Sequence, residues 1–138
     1  MKKTLISQLV AGAVFAIGGT ASAQSLSNDA VNIGVLTDLS GIYSAVEGPG
    51  AVIAAEMAVE DFGGSVLGKK INLTSADTQS KADLSSSKAR EMFERENVDM
   101  IVGNVSTSSA LAAMEVADQL KRVALVTGAA SLPITNEQ

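Results

Sequence analysis

Among its 138 residues the chain contains no cysteine and no histidine. Without cysteine there are no disulfides, so an exported form must be held by its core alone, and no lipid can be attached through an N-terminal cysteine. Without histidine, the Ser–His and Cys–His nucleophilic arrangements and histidine metal sites are excluded. Positive charge is scarce: 10 Lys and Arg stand against 15 Asp and Glu, with no basic block. That balance argues against nucleic acid and against anionic membranes as partners. No apolar run reaches the roughly 20 residues needed to span a bilayer.

The longest apolar run, residues 5–19, follows Lys2 and Lys3 and includes Ser7 and Gln8. Its length suits the core of a signal peptide, and Ala21-Ser22-Ala23 fits the small-residue cleavage rule. Residues 1–23 are therefore expected to be a cleaved signal, with the mature domain running over 24–138. Removing them takes away two lysines and no acid, so the formal charge of −5 becomes about −7.

The mature part reads as alternating strands and helices within one domain. Residues 31–37, VNIGVLT, are β-branched and apolar enough for a strand buried on both faces. Residues 38–50 form a loop, with Pro49 well placed near a helix start. Residues 51–62 then form a helix whose apolar stripe is Val52, Ala55, Val59 and Phe62, widened by Ile53 and Met57. Gly63-Gly64 ends it. Residues 70–76 give a second strand. Residues 81–96 give a second helix burying Leu84, Ala89, Met92 and Phe93, with Ser85-Ser86-Ser87 on its solvated face. A strand over 99–102, a helix over 110–120 and a strand over 123–126 complete the order, followed by a small-residue loop over 127–134. This predicts an α/β fold with a parallel sheet and right-handed crossovers. Four parallel strands with an open edge are a marginal structure, and the chain is expected to be the front part of a longer protein.

In such sheets ligands sit beyond the carboxyl ends of the strands. The loop after the third strand is the most suggestive: Gly103 makes a tight turn, and Ser106, Thr107, Ser108 and Ser109 lead into a helix. Free amides, the helix dipole and hydroxyls converge there, which suits an anion. The bland alternative is helix capping, which one hydroxyl satisfies. A second small-polar loop, with Gly128, Ser131 and Pro133, lies one unit later and favours ligand binding. Asp38 and Ser40 could reach a ligand, but an Asp at a strand end more often holds loop amides. Tyr43, the only tyrosine, is either an aromatic wall or packing for its own loop. Gly48-Pro49-Gly50 followed by Asp77 imitates a dinucleotide-binding unit. It fails because the third glycine position is Ile53 and the loop is too long. No cofactor and no metal is expected.

Several segments in order carry a specific resemblance: IGVLTDLSGIYSAVEGPGAVIAAEMAVEDFGG, the run from Asp77 to Asp83, DMIVGNVSTSSALA, and LVTGAAS. Together they resemble the N-terminal part of periplasmic substrate-binding proteins of branched-chain amino acid ABC transporters. The resemblance covers nearly all of residues 24–138. It implies the first lobe of a two-lobe clamshell, the type I periplasmic binding fold, which captures a ligand and delivers it to a membrane permease without chemistry. It implies that Ser106, Thr107 and Ser108 hold a ligand carboxylate. It further implies that the Ala129 carbonyl meets an ammonium and that Ser131 contributes its hydroxyl and amide, with residues 40–47 as a side wall. The usual acidic partner of the ammonium belongs to a second lobe that this sequence does not contain. Where the family often has Pro after Ser40-Gly41 this chain has Ile42, and the aromatic wall position falls near Val46. The expected ligand therefore widens from branched-chain amino acids to aromatic acids and other small carboxylates. The alternatives are a ligand-sensing receptor module of the same fold and, on the absence of a Gly-x-Ser-x-Gly elbow, less readily an exported enzyme.

Overall fold

The computed structural model describes residues 29–135. The expected signal peptide, residues 1–23, lies outside them. At the centre of the sheet is β1 (Ala30–Thr37), flanked by β3 (Lys69–Asp77) and β4 (Met100–Gly103), both parallel to it. Beyond β4 lies β5 (Val123–Val126), again parallel. With β2 (Ser65–Val66) at the other edge, the sheet order is β2-β3-β1-β4-β5. The parallel sheet predicted from the alternation of elements is therefore present, with one addition. β2 (Ser65–Val66) pairs antiparallel with the start of β3 through a tight Leu67-Gly68 turn. Two residues are too few to leave a periodic signal.

Three helices connect the parallel strands: α1 (Gly48–Asp61), α2 (Ala82–Glu94) and α3 (Thr107–Gln119). A short α4 (Leu132–Thr135) occupies part of the stretch read as loop. Alternate residues of each strand face opposite sides of the sheet. Leu36 and Ile101 face α2 and α3, where with Met92, Phe93, Val98, Ala113 and Val116 they form the buried core. Packing there is tight: a β-carbon on Gly34 would lie 2.7 Å from Met92 Sδ and 3.2 Å from Val98. α2 therefore needs a glycine beneath it.

The other face is less covered. In-register rows run Leu73, Ile33, Met100, Val123 and Ser75, Val35, Val102, Leu125. Among the described residues α1 is the helix on this side, and a groove of about 470 Å³ opens between α1 and the sheet, lined by Val35, Ala51, Ala55 and Val102 among others. Val123 and Leu125 are 53% and 51% exposed. This corrects the reading of α1. Val52, Ala55 and Val59 are half-buried as expected, but Ile53, Met57 and Phe62 are exposed. The apolar stripe is wider than the surface the described residues offer it. β1 is fully buried only over its last four residues, Gly34–Thr37, where α2 lies over one face and α1 with the loop before it over the other. No helix of the described residues is long and apolar enough to cross a membrane.

Candidate functional site

The carboxyl ends of β1, β3, β4 and β5 lie along one edge, and the segments that follow them meet there. The first two are tied by exchanged carboxylates. Asp38, buried at the end of β1, accepts from the amide of Gly41, the amide of Tyr43 at 2.9 Å and the hydroxyl of Ser80. Asp77, at the end of β3, accepts from the amides of Leu39 at 2.9 Å and Gln79 at 3.0 Å and from the Ser40 hydroxyl. Each acid thus holds its own loop and one serine of the other. Burial pushes both carboxyl pKa values up, but the serine hydroxyls and loop amides pull harder. Both groups end below the ordinary carboxylate value. The expectation that Asp38 serves loop amides is met, and Ser40 turns to Asp77. Gly41 is required, since a β-carbon there would lie 2.5 Å from Asp38 Oδ1. Gln79 and Ser80 both adopt positive φ, 48° and 55°, a conformation non-glycine residues hold only when fixed from outside.

β4 ends at Gly103, where φ is +122° and a β-carbon would lie 2.5 Å from the Leu36 carbonyl oxygen. Glycine alone fits this turn. The next residue, Asn104, is buried with φ +68° and donates its amide to Leu36 O at 2.9 Å. α3 begins earlier than residue 110. Ser106 is its N-cap, and Thr107, Ser108 and Ser109 form its first turn. Low helix propensity made these hydroxyl residues read as loop, but Ser and Thr are at home at a helix start.

Capping does not occupy the hydroxyls. Ser106 makes no side-chain cap, and its Oγ instead lies 3.0 Å from Ser108 Oγ. Ser109 turns inward, fully buried, with its Oγ unpartnered among the described residues. Below it lies a correction. Ser85, read as solvated, is buried and donates to the Ser109 carbonyl at 2.8 Å, with Asn104 Oδ1 3.3 Å away. Ser86 and Ser87 keep the surface role, each bonding back to a carbonyl of its own helix at 3.0 Å.

The segment after β5 packs directly on the β4 turn. Thr127 donates its amide to Gly103 O at 3.1 Å. A β-carbon on Gly128 would lie 3.1 Å from Val105 Cα and 3.5 Å from Glu47 Oε1. Loops from β1, β4 and β5 therefore converge at Gly128. Ala129 is half-buried, and Ser131 Oγ is buried without a partner among the described residues. Tyr43 projects from the first loop, its amide held by Asp38 and its carbonyl by the amides of Val46 and Glu47. So Ser106, Thr107 and Ser108 share one helix start, Ala129 and Ser131 share the adjoining loop, and Tyr43 lies on a separate arm. Glu47, expected as the end of the side wall over residues 40–47, has a more specific place. Its carboxylate accepts from Thr37 Oγ1 and Thr127 Oγ1, both at 3.1 Å. No group of His, Cys, Asp and Glu suited to a metal ion occurs among the described residues.

A family profile described as periplasmic binding protein matches residues 30–137. The chain belongs to that family. Solved structures agree. A periplasmic binding protein from Burkholderia mallei is 45% identical with a TM-score of 0.76, the match covering 79% of this chain and 29% of that one. A branched-chain amino acid ABC transporter periplasmic ligand-binding protein from Burkholderia xenovorans is 43% identical, TM-score 0.72, over 75% of this chain and 28% of that one. A solute-binding protein of an ABC transporter from Rhodopseudomonas palustris, in complex with 3,4-dihydroxybenzoic acid, is 29% identical, TM-score 0.73, over 78% and 30%. No curated protein matches the chain. The chain thus spans under a third of the length of these relatives. Within the family the fold is the type I periplasmic binding fold, and the elements described above form part of its N-terminal lobe.

Proposed function

We propose that residues 24–138 are the N-terminal lobe portion of a periplasmic substrate-binding component of an ABC importer. Residues 1–23 are its export signal. Its ligand is an amino acid or a related small carboxylate, which it captures and hands to a membrane permease without catalysing a reaction. The carrying observation is the buried Ser131 hydroxyl, unpartnered among the described residues, in a loop packed against the start of α3, whose own cap hydroxyl is not used for capping. Donors left idle at a 13-residue helix's N-terminus suit a carboxylate. The relatives support the class: one is named for branched-chain amino acid transport and one holds an aromatic acid. Ser106, Thr107 and Ser108 take the carboxylate, Ser131 completes it, the Ala129 carbonyl faces the ligand's other polar group, and Tyr43 borders the side.

With contacts from one lobe only, binding is weak, so the test is a ¹⁵N–¹H titration of residues 24–138 up to tens of millimolar ligand. The panel holds leucine, phenylalanine, benzoate, 3,4-dihydroxybenzoate and glucose. Amides of 106–109 and 128–131 are expected to move with the carboxylates alone, and to stop moving in Thr107→Ala and Ser131→Ala. Equal response to glucose, or none to any carboxylate, overturns the assignment.

A further inference from the structure

Three carboxylates stand at the sheet's carboxyl edge, and their surroundings differ. Asp38 and Asp77 each accept at least three hydrogen bonds, with backbone amides among the donors. Among the described residues Glu47 accepts two, from neutral threonine hydroxyls, one on each oxygen. An ionised carboxylate offers about four lone-pair sites, so two stay open. None of the ion pairs among the described residues includes Glu47. The side chain is half-buried and lines the groove beside α1 together with Val46, Gly50 and Thr127, so a small molecule can reach it.

Its position is fixed with respect to the ligand loops. Thr127 Oγ1 holds Oε1, and that oxygen lies 3.5 Å from where a Gly128 β-carbon would be. Ala129 follows directly. The two threonine bonds keep the carboxylate from swinging away, tying it to Thr37 at the end of β1 and to Thr127 just after β5, which is 80 residues further along the chain than Glu47. An anion held in place by neutral donors, close to the Gly128-Ala129 segment and outside the ion pairs of the described residues, is complementary to a cation on the ligand.

We propose that Glu47 is a ligand-binding residue that selects zwitterionic amino acids over plain carboxylates, by pairing with the ligand's ammonium beside the Ala129 carbonyl. The inference rests on the carboxylate site proposed above and names its ligand class. An acidic partner for the ammonium is then present within this lobe.

The test compares matched pairs that differ only in the ammonium: leucine with 4-methylpentanoate, and phenylalanine with 3-phenylpropanoate. Affinities come from the same amide titration. In the wild type the amino acid of each pair is expected to bind about tenfold more tightly, the effect of one charge-assisted hydrogen bond. Glu47→Gln removes the charge yet keeps both threonine bonds, one donated to its carbonyl and one accepted from its amide. It is expected to bring each pair within about twofold, with amide shifts at 106–109 intact. Thr127→Val removes one strap and keeps the charge, and is expected to retain the discrimination. If the wild type binds both members of a pair equally, or Glu47→Gln discriminates like the wild type, Glu47 is a strap and the inference fails while the carboxylate site stands. If no carboxylate of either kind moves the amides of 106–109 and 128–131, the carboxylate site itself fails.

Discussion

Replacing Asp38 by alanine removes the acceptor on which two loops depend. The side chain is fully buried and takes the Gly41 amide, the Tyr43 amide and the Ser80 hydroxyl. Leaving a buried donor unmade costs about 1–3 kcal/mol. Gly41 and Ser80 are only half-buried and the Tyr43 residue is exposed, so water recovers part of that. The low end applies, about 1 kcal/mol for each donor and about 3 kcal/mol in all. Loss of the Ser80 bond also frees Gln79 and Ser80 to leave their positive φ values, which loosens the loop. For a domain of this size, about 3 kcal/mol corresponds to a fall in Tm of about 15 °C. Thermal melts followed by far-UV circular dichroism and urea titration at pH 7 measure both quantities. Asp38→Asn keeps one carbonyl oxygen and is expected to lose about half as much. The pH response has a definite sign. The folded carboxyl sits below its ordinary value, so its contribution is complete above the unfolded value near 3.9 and is lost as pH falls through the folded one. The wild type therefore loses stability below about pH 4, and the Asn variant has a shallower acid limb. A loss under about 0.5 kcal/mol in Asp38→Ala, within the range of neutral surface changes, would refute the account of the exchanged carboxylates.

Gly103→Ala puts a β-carbon 2.5 Å from the Leu36 carbonyl at φ +122°, and is expected to destabilise by about 2–4 kcal/mol, read as a reduced urea midpoint with unchanged slope. Leu36→Ala opens a cavity between the sheet and α2 and α3, and should cost about 3–4 kcal/mol by the same titration. Ser85→Ala deprives the Ser109 carbonyl and Asn104 of a buried partner, with an expected loss of about 1 kcal/mol and faster amide exchange at the start of α3 than elsewhere.

The order of strands and helices was legible because each parallel strand is a short apolar run and each break carries Gly, Pro or a hydroxyl cluster. What escaped did so for identifiable reasons. Ser85 had a signal: it stands four and seven residues before Ala89 and Met92, on the buried stripe of α2, and that spacing outweighs its polarity. The exposure of Ile53 and Met57 had none, since an apolar stripe reports that a helix wants a partner and not whether one is in place. The start of α3 was misplaced because propensity disfavours Ser and Thr in helix interiors, whereas Thr107–Ser109 occupy a first turn. Of the candidate site, the two hydroxyl loops were legible in composition. Their mutual packing was not, because it depends on Gly128 meeting Val105 and Glu47 from distant strands.

The same edge explains how the proposed ligand site would be held before any ligand arrives. Asp38 and Asp77 exchange serines between the first two loops, Gly103 forces the third turn against Leu36, and Gly128 lets the fourth loop close on Val105. Glu47 then joins the end of β1 to the end of β5. Every tie runs between strands that are adjacent or one strand apart in the sheet, so the sheet's register sets the spacing of the loops. Donors placed this way need little reorganisation on binding, which lowers the entropic cost of capture. The hydroxyls of Ser109 and Ser131, buried and without partners among the described residues, are the places where this order is incomplete. Ser109 sits over Ser85 and Asn104, so its hydroxyl belongs to the interior. Ser131 sits in the loop that closes on the start of α3, and a carboxylate oxygen there would supply the missing acceptor.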